Sequence, residues 1–489
     1  MRKAFDPQMR FDCQAVGDVE LNLNCRDEII PILKALQHIY SQPKLRISIL
    51  EAVARDVNPD TSRRHGRQGM HYWQILVLAA VRLGCGLDYD KLQDLAEQHR
   101  ALRQIMGIGD WKRQTVFDWR RIEDNITKVR PETIQQINHW VVGEGHRLVP
   151  AANETVRADS FVVETNIHYP TESSLIRDGL RKVLGLCVEL AAAIGAGGWR
   201  QHEHLHKKAK RLSRQIDRIA ARKGNNYQKR LKRAYRELFS LADTILDRAE
   251  KLQKCLKRRA VVVQWMALDA DLTGFIQKTH HVCGTARRRV LQGEQVPNSE
   301  KLFSIFEPHT QLYKRGKAAK PMQFGRQVLI YEDGAGFVTH AYLMPRDADD
   351  RDVVVKQTRI VQKRHQGRIR RASFDRGFHS PENQKELAKI IANPCLPMPG
   401  KNQAKQQEEE TTIEFRQSRQ HHPGVESAIG ALQSGNGLVR CRDRTEVGFQ
   451  RYVQLGVLGR NLHVLGRIVI ARENADCLAA QSRRRKVAA

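Results

Sequence analysis

TVRADSFVVETNIHYPTESSLIRDG, at residues 155–179, is the stretch of sequence on which the predicted fold depends. Its first part, from Val156 to Val163, is apolar and rich in β-branched residues, which predicts a buried strand. Asp159 lies in the middle of this strand, where an ionised carboxylate is unfavourable unless a cation or hydrogen-bond donors compensate it. Two interpretations remain open: Asp159 is a metal ligand, or it lies on the solvated face of an edge strand.

The composition indicates a basic protein with a polyanionic partner. The 489 residues carry a formal net charge of +29, and the length suffices for about two to four domains. A charge of this size favours nucleic acid or an anionic membrane. No apolar run approaches the ~20 residues of a membrane span, and the first residues lack the apolar region of a signal peptide. Nucleic acid and a cytoplasmic location are therefore expected, with no membrane partner.

The nine cysteines are scattered and predict reduced thiols rather than a disulfide framework. His280, His281 and Cys283 are close in sequence and raise the alternative of a zinc site. Such a site requires a fourth ligand at a recognisable spacing, and none follows. The sequence therefore does not favour zinc.

Two helical regions precede the central stretch. Residues 1–65 contain a predicted helix over 27–40 and end in a polar, basic linker. Residues 66–150 predict short helices, one of them capped by Thr115. Basic residues cluster at a turn-to-helix step, as in a helix-turn-helix-like DNA-binding domain, and a helical bundle with a solvated basic face is the alternative. The predicted DNA contacts are Arg113, Gln114, Arg120 and Arg121.

A third helical region, residues 186–324, is predicted as a basic insertion. Apolar residues over 205–219 and 231–256 recur at steps of three and four on both sides of a turn, which predicts an antiparallel coiled-coil hairpin. Residues 201–260 hold 19 Lys and Arg and 6 Asp and Glu, a net charge of +13. Runs of charge are usually solvated faces, but one this one-sided favours phosphate contact. The predicted contacts, which avoid the apolar seam, are Lys229, Arg230, Lys232 and Arg233.

Sheet-forming sequence resumes after the insertion. We expect residues 151–185 and 325–470 to form one α/β domain and residues 471–489 to form a basic tail, in which SRRRK (482–486) is disordered. The predicted elements are a β-hairpin over 328–343, a helix over 350–366, a strand ending at Asp375, a helix over 381–390, a strand over 391–398 and a helix over 422–433.

Three carboxylates have contexts that suit a metal site. Asp159 lies within a strand, Asp375 ends another strand at a glycine turn, and Glu426 lies in the first turn of a helix, where the helix dipole favours negative charge. The strands and helix of a mixed sheet can bring all three to one edge. Carboxylates with open positions suit Mg²⁺, and two such ions activate a nucleophilic oxygen and stabilise the leaving oxygen.

The segments around these carboxylates resemble a known family. They are DSFVVETNIHYPTESSLIRDG (159–179), FDRGFHSPEN (374–383) and HPGVESAIGALQSGNGLVRCRDRTEVGFQRYVQLGVLGRNL (422–462). The chain resembles bacterial insertion-sequence transposases with a DDE, RNase H-like catalytic domain, in particular the ISNCY group, over nearly its whole length. The resemblance implies that Asp159, Asp375 and Glu426 are the catalytic and metal-binding residues, with Mg²⁺ as the cofactor and Mn²⁺ as a substitute.

The resemblance also implies an activity. The chain would bind the terminal inverted repeats of its element and join their 3′-OH ends to target DNA, as a homo-oligomer on double-stranded DNA. Related transposases often place a Tyr and an Arg before the Glu and a Lys after it, where this chain has Arg419, His422 and Gln433. Arg416, Arg419 and Arg440 are the expected substitutes as phosphate contacts. A non-catalytic nucleic-acid-binding protein with structural carboxylates is the alternative.

Overall fold

The chain divides into two compact units. The computed structural model describes residues 11–58, 69–111, 117–257, 263–314, 321–398, 410 and 412–488. The first unit comprises Met1–Glu164 and Arg326–Ala489, and the second unit is Thr165–Gly325. The second unit therefore begins before the predicted insertion, residues 186–324.

Helices predominate in the described residues, and none of these helices is long and apolar enough to cross a lipid bilayer. They are α1 (Ile29–Tyr40), α2 (Pro43–Val57), α3 (Tyr72–Gly84), α4 (Tyr89–Gln98), α5 (Arg100–Ile105), α6 (Trp119–Ile126), α7 (Pro131–Leu148), α8 (Glu172–Ile194), α9 (His202–Arg222), α10 (Tyr227–Lys257), α11 (Val263–Arg287), α12 (Asp350–Arg364), α13 (Pro381–Ala388), α14 (Ile413–His421), α15 (Gly424–Ser434) and α16 (Glu446–Ala488). The strands are β1 (Thr155–Thr165), β2 (Gln311–Lys314), β3 (Met322–Asp333), β4 (Val338–Leu343), β5 (Arg371–Phe374), β6 (Asn393–Cys395) and β7 (Arg440–Cys441).

Strand β1 is central in a mixed sheet. The strand order is β4–β3–β1–β5–β6, β7 pairs with β1, and β2 pairs with the first residues of β3. The predicted hairpin of β3 and β4 is confirmed, and β1, β5 and β6 are parallel. Because β1 has a neighbour on each side, the edge-strand interpretation of Asp159 is wrong. The mixed sheet and its helices agree with the predicted α/β class.

The side chains of β1 alternate between two hydrophobic cores. Ala158 belongs to a core that includes Val354 of α12. Phe161 belongs to a different core that includes Val425 of α15. Residues at i and i+2 of a strand share a face. Asp159 therefore lies on the same face as Phe161, the face on which α15 packs.

Helix α16 joins the N-terminal helices to the sheet. It packs against α1, α3, α7 and β4, and one hydrophobic core includes residues of all of these elements. A Cβ on Gly459 of α16 would lie 2.6 Å from the Cα of Gly84 in α3, so this helix crossing requires glycine. The N-terminal helices thus share the core of the first unit. The prediction that residues 482–486 are disordered is wrong, because α16 continues to Ala488.

The predicted hairpin is confirmed within the second unit. Helices α9 and α10 pack together, and the seam residues Leu212, Ile216, Leu238 and Ile245 are buried. Helices α8 and α11 complete this core. Residues 172–185, which we predicted in the sheet domain, are part of α8 and belong to this unit.

Two buried histidines of the first unit, His340 and His365, and the half-buried His139 predict a loss of stability in mild acid. Burial lowers the pKa of His340 to about 3 and the pKa values of His139 and His365 to about 4, and the charge of Arg364 lowers all three further. Unfolded histidine titrates near pH 6.5, so the unfolded chain binds more protons as the pH falls from about 6.5 to 4. Each ring then removes about 1.4 kcal/mol of unfolding free energy per pH unit in this range.

Denaturant titrations at about pH 7 and pH 5 measure this effect. We expect the unfolding free energy to be several kcal/mol lower at the acidic pH. A His340→Gln variant, which cannot titrate at this position, should show a smaller pH dependence. Equal stability of the wild type at both values would contradict the assignment of neutral buried rings.

Candidate metal-dependent active site

The register of β1 and β5 places two of the predicted ligands side by side. The strands are parallel, and the last pair of their ladder is Ala158 with Phe374. Asp159 is the next residue of β1, and Asp375 directly follows the end of β5. Neighbouring strands lie about 4.8 Å apart, and residues at the same level point to the same face. Asp159 is half-buried and Asp375 is exposed.

Helix α15 brings Glu426 towards the same place. His422, in the turn before α15, has its Nδ1 atom 3.2 Å from the Oγ atom of Ser373 on β5. Burial lowers the pKa of His422, whereas the negative charges of Asp375 and Glu426 act to raise it. Both carboxylates therefore lie within electrostatic reach of one imidazole ring. Glu426 is exposed in the first turn of α15, as predicted.

Arg157 fastens the turn between α14 and α15 to strand β1. Its Nε donates a hydrogen bond to Oε2 of Glu332 at 2.5 Å, and its Nη1 donates to the carbonyl oxygen of His421 at 3.0 Å. A Cβ on Gly424 would lie 1.9 Å from Nη1 of Arg157, so a larger residue at this position would require the guanidinium to move. Arg157 thus determines where the first turn of α15 lies, and Glu426 is in that turn.

The sequence reasoning missed Arg157. The available signal was its position two residues before Asp159, which puts both side chains on one face of the strand. Its partner Glu332 was not predictable, because it lies on β3, far away in sequence. Burial raises the pKa of Glu332, and the charge of Arg157 opposes this rise. Arg157 is therefore the nearer of the two arginines that compensate this buried carboxylate, the other being Arg460 at 3.9 Å.

Among the described residues, no group of three or more His, Cys, Asp or Glu side chains is arranged to hold a metal ion. The zinc alternative gains no support. His280 pairs with Glu250 at 3.1 Å, and Nε2 of His281 lies 2.7 Å from the carbonyl oxygen of Glu300. The two imidazoles therefore serve separate local contacts in the second unit.

The predicted phosphate contacts near Glu426 differ in position. Arg416 and Arg419 are exposed on α14, and Arg419 pairs with Glu410 at 3.4 Å. Arg440 pairs with Glu164 at 3.2 Å. Glu164 is five residues beyond Asp159 on β1, a separation of about 16 Å along the strand. The two α14 arginines thus adjoin the turn before Glu426, and Arg440 lies farther along β1.

The predicted N-terminal contacts are described only in part. Arg113, Gln114 and Thr115 lie outside the described residues. Helix α6 begins at Trp119 with Asp118 as its N-cap, and the side chain of Asp118 accepts a hydrogen bond from the backbone N–H of Arg120. Arg120 and Arg121 are exposed in the first turn of this helix.

The four predicted DNA contacts on α10 differ in whether they have partners within the chain. Lys229 and Arg230 are exposed. Lys232 donates a hydrogen bond to the carbonyl oxygen of Leu291 at 3.2 Å, and Arg233 pairs with Glu237 at 3.5 Å. Two of the four cations therefore already have partners within the chain.

The strand register brings two of the three predicted carboxylates side by side, and several of the predicted cations lie elsewhere. Asp159 and Asp375 are neighbours by strand register, and Glu426 follows a turn that is bound to both strands. Comparisons of the chain with models of protein families, with curated proteins and with solved structures find no match. A functional interpretation therefore depends on this geometry and on the sequence motifs.

Proposed function

We propose that the chain is a DDE transposase with an RNase H-like catalytic domain, which cleaves DNA at the ends of its insertion sequence and transfers the strands to target DNA. The register that puts Asp159 beside Asp375, on the face where α15 carries Glu426, is the observation that supports this most. The mixed sheet with a helical insertion between β1 and β3 supports the fold. The net charge of +29 supports double-stranded DNA as the partner.

The chemistry of the donor set fits Mg²⁺, with Mn²⁺ as a substitute. Asp159, Asp375 and Glu426 offer carboxylate oxygens, the ligands that both ions prefer, and two of the three residues are exposed. These three residues would hold the ions. The chemistry supplied by ions held there would be activation of the attacking water or 3′-OH and stabilisation of the leaving oxygen.

Other residues of the chain prepare the site. Arg157 holds the turn between α14 and α15 against β1, so that Glu426 stays on the face of the two aspartates. His422 contacts Ser373 and thereby fixes the same turn to β5. Arg416 and Arg419, exposed on α14, bind the phosphate backbone that enters beside this turn.

A non-catalytic nucleic-acid-binding protein is the second candidate, and the lack of a ready-made ligand group among the described side chains favours it. The test uses the full chain and a duplex with the inverted repeat that flanks its gene. We expect cleavage at the repeat boundary with Mg²⁺ or Mn²⁺ and none in EDTA. Binding without cleavage in any divalent ion would select the second candidate.

Recognition of the ends is expected to involve α6. Replacing Arg120 and Arg121 together by Gln should weaken binding to end DNA more than binding to unrelated duplex, because base contacts contribute about 1–3 kcal/mol each. Fluorescence anisotropy at physiological salt measures both affinities. The full chain is needed, because α16 completes the core on which the N-terminal helices pack.

Lys128→Gln, which removes an exposed charge just beyond α6, is the matched control. If the arginine variant loses affinity equally for end DNA and for unrelated duplex, α6 contacts only the DNA backbone and does not recognise the sequence of the ends.

A further inference from the structure

Helix α9 of the second unit presents a continuous basic face. Its buried residues, Ala209, Leu212, Ser213 and Ile216, pack into the core of α8–α11. At 3.6 residues per turn, the opposite side of the helix carries a row of exposed cations about 16 Å long. We call this row the α9 basic face; its members are Lys207, Lys210, Arg211, Arg214 and Arg218.

The carboxylates of α9 do little to neutralise this face. Among the described residues, the one ion pair made by its five cations joins Lys207 to Glu203, at 3.7 Å between two largely exposed side chains. The other carboxylate of α9, Asp217, accepts a hydrogen bond from Ser173 on α8 and, among the described residues, forms no ion pair with these cations. The positive charge is therefore largely uncompensated within the unit.

Further positive charge accumulates beside the α9 basic face. His206 lies at its edge. Burial lowers the pKa of His206, and the charges of Arg181, Lys210 and Arg177 lower it further. Arg181 is exposed on α8, next to α9. Like charges held this close repel one another, so the arrangement is most stable with an external polyanion.

We propose that the α9 basic face binds the phosphate backbone of double-stranded DNA, independently of base sequence. The choice of DNA as the polyanion rests on the proposed function. A straight row of cations of this length matches the dense, regular charge of a duplex, which carries one phosphate per ~1.7 Å of axis. The predicted contacts Lys232 and Arg233 have partners within the chain, whereas four of the five cations of the α9 basic face form no ion pair among the described residues.

If the α9 basic face binds DNA, its cations should contribute to the salt dependence of the affinity for duplex DNA. Each neutralised phosphate contributes about −0.9 to the slope of log affinity against log salt concentration. Replacing Arg211, Arg214 and Arg218 by Gln should therefore flatten the slope by about 2 to 3. The measurement uses the full chain in EDTA, with a duplex of about 30 base pairs that lacks the element's ends.

Three arginines that already pair with carboxylates provide a control with the same change in net charge. Arg287 pairs with Asp243, Arg288 with both Glu294 and Glu300, and Arg289 with Glu172. Changing these three arginines to Gln should alter the slope by less than about 1, because their charges are already compensated. Circular dichroism checks that both variants keep the wild-type helix content.

An unchanged slope in the α9 variant would overturn the proposal, and so would an equal change in the control. Loss of binding to vesicles with anionic lipid, without any change on DNA, would assign the face to a membrane and also overturn it. Because this assay contains no divalent metal and no element ends, its outcome is separate from that of the cleavage assay.

Discussion

Replacing Asp159 or Asp375 by Asn, or Glu426 by Gln, is expected to reduce strand transfer at least about a thousandfold, the effect of losing about 4 kcal/mol of transition-state stabilisation. Each substitution keeps the shape of the side chain but removes a charged metal ligand. The affinity for DNA in EDTA should stay close to that of the wild type, because the basic surfaces are unchanged. Gel analysis of joined products and anisotropy measure the two quantities.

Two further variants test whether the loss of strand transfer comes from the loss of a metal ligand. Glu132→Gln is the matched control for Glu426, because Glu132 is also an exposed glutamate in the first turn of a helix, α7. It should leave strand transfer unchanged. Asp375→Cys replaces a hard oxygen by a softer sulfur, so activity should return with Mn²⁺ more than with Mg²⁺. Near-normal activity of any one of the three carboxylate variants with Mg²⁺ would remove that residue from the site.

Replacing Arg157 by Met is expected to lower both stability and strand transfer. The substitution leaves Glu332 buried, with Arg460 at 3.9 Å as its remaining charged partner among the described residues. Breaking a buried ion pair from one side costs about 3–5 kcal/mol. We expect a loss of about 3 kcal/mol in unfolding free energy, measured by denaturant titration, because Arg460 compensates part of the charge.

A double variant separates the two roles of Arg157. Adding Glu332→Gln to Arg157→Met removes the uncompensated charge and should restore most of the stability. The carbonyl oxygen of His421 still lacks the hydrogen bond from Arg157, so the turn before Glu426 is no longer held against β1. We therefore expect strand transfer to stay low and its half-maximal Mg²⁺ concentration to rise. Recovery of both stability and activity would show that Arg157 serves the fold alone.

Local patterns predicted the elements of the sheet well. The apolar, β-branched run of β1, the hairpin of β3 and β4, and the strand before Asp375 follow from runs of apolar residues and from turn residues. The same holds for the seams of α9 and α10, because a heptad pattern depends only on neighbours along the chain. Residue types in these contexts were enough to select Asp159, Asp375 and Glu426.

Contacts between elements that lie far apart in the sequence could not be predicted from local patterns. No pattern within 1–150 shows that these helices need α16 to complete their core, and the apolar residues of α16 were assigned to the sheet domain without recognising the helix. Pairing of Arg157 with Glu332, and of Lys232 with Leu291, depends on which elements become neighbours. Composition likewise predicted the positive charge of the α9–α10 hairpin. It did not show on which side of α9 this charge is concentrated.

The most direct test of the account is the joining of DNA ends by the purified full-length chain. A labelled duplex with the element's terminal repeat and a free 3′-OH is incubated with a target plasmid, with Mg²⁺ or with EDTA. The account predicts a covalently joined product with Mg²⁺ and none in EDTA. A folded protein that binds the repeat but joins no ends with either Mg²⁺ or Mn²⁺ would contradict it.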